Sequence, residues 1–125
     1  MGKTNQLGIW MDHSVAYLME FTTKPFEIQT IVSEFTLEEK TYNFFKKKSP
    51  ISNIQKKYSF YNRIAKEIIN CQEIILFGPS DAKNDFFDLL SEDERFYKLK
   101  VEIKETDKMN VNQQHAFINE YFIKE

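Results

Sequence analysis

Leu7, Ile9 and Met11 alternate with Gly8, Trp10 and Asp12, the two-residue period of a strand that ends near Asp12. His13-Ser14 supplies a tight turn. Val15, Tyr17, Met19 and Phe21 then alternate with Ala16, Leu18 and Glu20 as a second strand. Residues 22–25 form another turn, with Pro25 just before the next strand, where a missing N–H is tolerated. Phe26, Ile28, Thr30 and Val32 alternate with Glu27, Gln29, Ile31 and Ser33. Three strands joined by short turns make an antiparallel meander.

The period then changes. Residues 35–59 show no sustained strand or helix pattern, and Ser49-Pro50 interrupts them. So long an irregular stretch in a small domain is either functional or disordered. From Tyr61 the apolar positions Tyr61, Ile64, Ala65 and Ile68 fall at helical spacing, and Asn70 or Cys71 ends that helix. Glu73-Ile74-Ile75-Leu76-Phe77 is a nearly continuous apolar run stopped by Gly78-Pro79, the pattern of a central strand covered on both faces. Ser80 or Asp81 caps a following helix whose buried stripe is Phe86, Leu89 and Leu90. Asp81 and Asp85 in its first turns suit the helix dipole. Leu99, Val101 and Ile103 alternate with Lys98, Lys100, Glu102 and Lys104 as a half-exposed edge strand. Asn110 and Gln113 open a last helix with a capping-box pattern, and Val111, Ala116, Phe117, Tyr121 and Phe122 supply its apolar face.

The order βββ-α-β-α-β-α constrains the topology. A right-handed crossover from the third strand sets the fourth beside the first and the fifth beyond it. The fold class is therefore α/β: a five-stranded mixed sheet in the order 3-2-1-4-5 with three helices, a ribonuclease-H-like arrangement.

Composition narrows this to one domain over residues 1–125, with a basic loop at 35–59. The 125 residues are 42% hydrophobic with twelve Phe, enough for a packed core. Three Gly and three Pro leave little room for linkers. No apolar run approaches the roughly 20 residues that span a bilayer. The first residues run into a strand without a signal-peptide pattern, and Gln6 stands where a myristoylation signal has Ser or Thr. The single Cys71 has no intrachain disulfide partner, as in a reducing compartment. A cytoplasmic location without membrane attachment is expected.

Charge changes the picture most. The net charge is only −2, yet residues 41–66 hold seven basic side chains (Lys46, Lys47, Lys48, Lys56, Lys57, Arg63, Lys66) and no acidic one. The remainder sets 10 basic side chains against all 19 acidic ones, a balance of −9. Phe44, Phe45, Tyr58 and Phe60 stand beside these lysines. Interleaved cations and rings can hold irregular RNA by phosphate attraction and base stacking. The same residues would serve in a solvated loop anchored by its aromatics, or in a protein contact, and all three readings stay open here.

Other candidates carry less. Asp12 ends the first strand, where a ribonuclease-H-like nuclease places a metal-binding carboxylate, but such chemistry needs several converging carboxylates. Glu67 and Asp81 are the available partners and nothing in the sequence directs them to Asp12. Use of Asp12 as a turn acceptor is the simpler account. Gly78-Pro79-Ser80-Asp81-Ala82-Lys83 lacks the glycine-rich cradle of a nucleotide loop, and Asp81 would repel an anion, so it reads as a strand–helix turn. His13 and His115 make no metal-ligand spacing with Cys71 and are expected at surface or half-buried positions. No metal site, catalytic set or cofactor is expected.

Two stretches resemble the middle domain of the archaeal and eukaryotic class-1 peptide-chain release factors and of their relative Pelota. Gly8-Ile9-Trp10-Met11-Asp12-His13-Ser14-Val15-Ala16-Tyr17 is similar to that domain's opening strand–turn–strand, and closer to bacterial stand-alone relatives with a "WIDHREA"-like run. Residues 74–86 resemble the family's strand followed by Gly-Pro-Gly-x-x-Lys-x-x-Phe, here Gly78, Pro79, Lys83 and Phe86. The helix start at residues 58–66 is also similar. Release factors carry a Gly-Gly-Gln tripeptide between the third strand and the first helix, and its glutamine assists peptidyl-tRNA hydrolysis. Residues 35–59 contain no glycine, and their one glutamine is Gln55. By resemblance, then, the chain is a stand-alone middle domain without peptide-release activity, nearer to Pelota. The expected function is non-enzymatic and translation-related, with ribosome or structured RNA bound through Phe44, Phe45, Lys46, Lys47, Lys48, Lys56, Lys57, Tyr58 and Arg63. The alternatives are a protein-interaction module and a metal-dependent nuclease built on Asp12. The module could be a weak homodimer paired through the fifth strand, although that strand's lysines count against pairing.

Overall fold

The computed structural model of the protein describes residues 6–21, 27–33 and 53–124, with side chains in the last stretch from Tyr58 to Ile123. Strand β1 (Gln6–Met11) turns into β2 (Val15–Glu20), which pairs with β3 (Gln29–Val32). Helix α1 (Asn53–Glu67) leads to β4 (Glu73–Gly78), α2 (Ala82–Ser91), a 3₁₀ turn (Glu94–Phe96), β5 (Lys100–Glu105) and α3 (Val111–Lys124). The sheet order is β3-β2-β1-β4-β5, antiparallel on the β3–β2–β1 side and parallel from β1 through β4 to β5. This is the α/β arrangement expected from the sequence.

The strand period sorts the core into two clusters. Ile9, Met11, Ala16, Leu18, Ile31, Ile74 and Leu76 face α1 and α2, meeting Phe60, Tyr61, Ile64, Ile68, Phe86 and Leu90. Trp10, Met19, Ile75 and Phe77 face the other way, against Ile118 and Phe122 of α3. Among the described elements, two helices lie on one side and one on the other. β4 is buried on both faces, as its continuous apolar run requires.

Gly8 decides how α3 docks. A Cβ there would lie 2.2 Å from Ile118 Cγ1, so the missing side chain is the space that Ile118 fills. The expected apolar face of this helix needs correction. Ala116 is exposed, and the buried stripe is Gln114, His115, Ile118 and Phe122, with Phe117 and Tyr121 on its flanks. The polar members are buried because they find acceptors: Gln114 Nε2 donates to Met109 O at 2.9 Å, and a His115 ring nitrogen lies 3.3 Å from Glu20 O. His115 is therefore a core residue, not a surface one.

The start of α1 is a second correction. The helix begins at Asn53 rather than Tyr61, so residues 53–59 are helical and not loop. Gln55, Lys56 and Lys57 lack an apolar rhythm but are good helix formers, and a helix already packed through Ile64 and Ile68 propagates through them at little cost. The α3 start matches its expectation: Asn110 Oδ1 accepts from Gln113 N at 2.8 Å, and Gln113 Oε1 accepts from Asn110 N at 2.9 Å. At α2 the work falls to Ser80, whose Oγ accepts from Ala82 N at 3.2 Å, while Asp81 at the N-cap position makes no side-chain cap bond.

Candidate nucleic-acid interface

Three connections gather at one end of the sheet. β1 ends there in the Asp12-His13-Ser14 turn, β4 ends there at Gly78, and β3 arrives beside the first turn, with Ser33 N donating to Ser14 O at 2.8 Å. α1 runs back from this end, because the start of β4 that follows it pairs with Gln6 and Leu7 at the opposite end. Ser33 and Asn53, the described residues on either side of 34–52, thus both lie toward this end of the sheet. Phe44, Phe45, Lys46, Lys47 and Lys48 lie outside the described residues.

The remaining predicted contacts separate. Lys56 and Lys57 stand on the first turns of α1, with side chains outside those described. Arg63 donates from Nη2 to Val32 O at the end of β3, so its guanidinium covers the edge strand. From Arg63, the helix continues roughly 15 Å further to Asn53, carrying Lys56 and Lys57 in that direction. Tyr58 is 51% exposed and borders a groove of about 200 Å³ lined by Tyr61, Asp85, Asp88, Leu89 and Glu92. Burial first, and the Asp85 carboxylate second, hold the Tyr61 hydroxyl against ionisation. With Asp85, Asp88 and Glu92 on its wall, this groove repels phosphate. The sequence marks Tyr58 as an aromatic beside Lys56 and Lys57 but does not show that acidic α2 residues border it.

The turns at this end are structural. Asp12 Oδ1 accepts from Ser14 N at 2.8 Å and Val15 N at 2.9 Å, and Asp12 N donates to Val15 O at 3.0 Å. This is the turn-acceptor use expected for it. Gly78 has φ +144°, and a Cβ on it would stand 2.4 Å from Met11 O, so β1 and β4 close together here only over a glycine. Lys83 is buried at 1% exposure; its Nζ donates to Ser80 O at 2.6 Å and pairs with Glu105 Oε1 at 2.7 Å. It ties the turn to the end of β5. Phe86, next in the motif, is core. The Gly78…Lys83…Phe86 pattern is thereby accounted for as packing.

The opposite end is acidic. A cleft of about 570 Å³ is lined by Gln6, Leu18, Glu20, Glu27, Glu67 and Cys71, among others. Burial, then Glu20, push the Cys71 thiol up to about 11. Glu67 lies at this end while Asp12 and Asp81 lie at the other, so the three carboxylates considered for a metal do not converge. Among the described residues no three His, Cys, Asp or Glu form a metal-binding group, and no helix is long and apolar enough to cross a membrane.

No family model and no curated protein sequence matches the chain. Solved structures that share its fold include Pelota from Archaeoglobus fulgidus, with a TM-score of 0.61 at 15% identity over 94% of this chain and 31% of that one. Pelota from Thermoplasma acidophilum gives 0.61 at 16% identity over 90% and 31%. Dom34 of S. cerevisiae, a translation termination-like factor involved in RNA quality control pathways and interacting with Hbs1, gives 0.55 at 14% identity over 96% and 38%. The chain spans about a third of the length of these proteins. The likeness to these proteins is one of fold, over a stretch the size of one domain.

Proposed function

We propose that the chain is a non-enzymatic, translation-related factor, a bacterial counterpart of the Pelota and release-factor middle domain, that binds the ribosome or structured RNA through its basic segment. One observation carries the reading: an acid-free stretch, residues 41–66, leads into α1, whose first turn lies toward one end of a sheet with the Pelota fold, and the cleft at the opposite end is lined by Glu20, Glu27 and Glu67. Such a polarity turns one end toward phosphate and the other away.

The binding would work by neutralising phosphates with Lys46, Lys47, Lys48, Lys56 and Lys57, releasing counterions, while Phe44 and Phe45 offer faces to unstacked bases. Arg63 and Tyr58 have smaller parts, since one is bonded to Val32 and the other borders Asp85, Asp88 and Glu92. The chain has no Gly-Gly-Gln, which supports contact without peptide release. The protein would act in the cytoplasm without a cofactor.

Sedimentation of the protein with ribosomes through sucrose gradients tests this. Migration with a subunit or intact ribosome at low salt, lost at raised salt and lost on reversing Lys46, Lys47 and Lys48 to Glu, is the expected result. Protein that stays at the top of the gradient at both salt concentrations would leave only the fold in common with translation factors.

A further inference from the structure

β5 stands at the end of the sheet away from β3 and, among the described residues, pairs with β4 alone. Its hydrogen-bonding parity can be read from its ends. Lys100 N donates to Gln72 O at 3.0 Å and Thr106 N donates to Gly78 O at 3.2 Å. Backbone groups alternate sides along a strand, so Lys100, Glu102, Lys104 and Thr106 turn theirs toward β4. Val101, Ile103 and Glu105 turn their N–H and C=O groups outward, where no described strand meets them. Side chains alternate as well. Val101 and Ile103 pack against the α1–α2 cluster, while Glu102 and Lys104 share the other face, with Lys104 Nζ 4.0 Å from Glu102 Oε2.

We propose that this edge is self-complementary and that two copies of the chain join antiparallel through β5 into one continuous sheet. With the two-fold axis at Ile103, the outward backbone groups of Ile103 meet those of the other copy's Ile103, and Val101 meets Glu105. Glu102 then lies opposite Lys104 at a non-hydrogen-bonded position, where side chains approach most closely, and the symmetry makes this pair twice. Lys100 falls opposite Thr106, and Glu105 keeps its bond to Lys83. Neighbouring registers lose the match. An axis at Glu102 sets that glutamate against itself and Lys100 against Lys104. An axis at Lys104 sets two lysines together. An axis at Val101 sets Lys100 against Glu102 but also Lys104 against Lys98. Lysines on an edge ordinarily discourage pairing; with the axis at Ile103, Lys104 meets Glu102 and no two lysines of the strand meet. One six-residue seam is small beside the interfaces of permanent dimers, so association is weak and concentration-dependent.

Sedimentation velocity on the full chain, from low micromolar concentration to about a millimolar, reads this directly, alongside circular dichroism for folding. The wild type is expected to shift toward dimer as concentration rises. Lys104→Glu and Glu102→Lys each oppose like charges twice and should weaken self-association about tenfold or more. An equal mixture of the two variants restores both opposite-charge pairs and should associate like the wild type, which also shows that each variant is folded. A wild type that remains monomeric across the range would overturn the proposal. So would single variants that associate as well as the wild type, or a mixture that fails to recover.

Discussion

The Gly78–Lys83 turn and the basic segment meet the same end of the sheet, yet they use their residues in opposite ways. In the turn every distinctive residue is consumed by packing: Gly78 admits Met11 O, Lys83 is buried between Ser80 O and Glu105, and Phe86 enters the core. In the basic segment the distinctive residues are charges with no acidic neighbour in sequence. The turn carries one of the sequence resemblances to the release-factor and Pelota family, and the segment lacks the Gly-Gly-Gln that the resemblance to release factors would place there. Similarity in the turn therefore carries shape, and activity has to be argued from the segment.

Breaking the turn should cost stability. Gly78→Ala forces a side chain into a positive-φ position and against a backbone oxygen that cannot move away. It should destabilise the fold by about 3 kcal/mol or more in urea unfolding. Lys83→Ala removes both bonds and the buried stem and should cost about 2–3 kcal/mol, whereas Lys83→Met keeps most of the volume and should cost less. Near-equal losses in the two variants would mean that the charge, not the packing, matters. Gly8→Ala should cost about 1–3 kcal/mol by overpacking Ile118. In an Ile118→Ala background the same change should cost much less, since the clashing atoms are gone; additive losses in the double variant would contradict the proposed docking of α3 on Gly8.

A smaller effect belongs to the acidic end. The Cys71 thiol is raised from 9.0 to about 11, so its protonated form is favoured in the folded protein. That stabilisation is complete below about pH 9 and is lost as pH rises through about 11. Iodoacetamide should alkylate Cys71 more slowly than a free thiol at about pH 8, with the rate climbing toward the raised value.

The strands and their order were legible because two-residue alternation marks the half-buried strands and the unbroken run 74–77 marks the central one. The capping box at Asn110 was legible for the same reason, being a local pattern with a local cause. What escaped depends on distant partners. Ile118, not Ala116, is buried because Gly8 lies opposite it, and His115 is buried beside the Glu20 carbonyl at the end of β2. A glycine in the middle of an alternating strand was the available signal for a close approach. The first turns of α1 escaped because propensity, not periodicity, forms them. Of the candidate interface, the charge segregation was visible in the sequence, but the use of Arg63 on Val32 and the acidic groove beside Tyr58 were not.

The measurement that tests the central claim most directly is the salt dependence of binding to ribosomal RNA, compared between the wild type and the variant with Lys46, Lys47 and Lys48 reversed to Glu. Urea unfolding of both proteins checks that the variant is folded. Its binding should be weaker, with the slope of log affinity against log salt reduced by about 2, the loss of roughly three phosphate contacts. Equal affinity and equal slope in the two proteins would contradict the account and remove the basic segment as the contact.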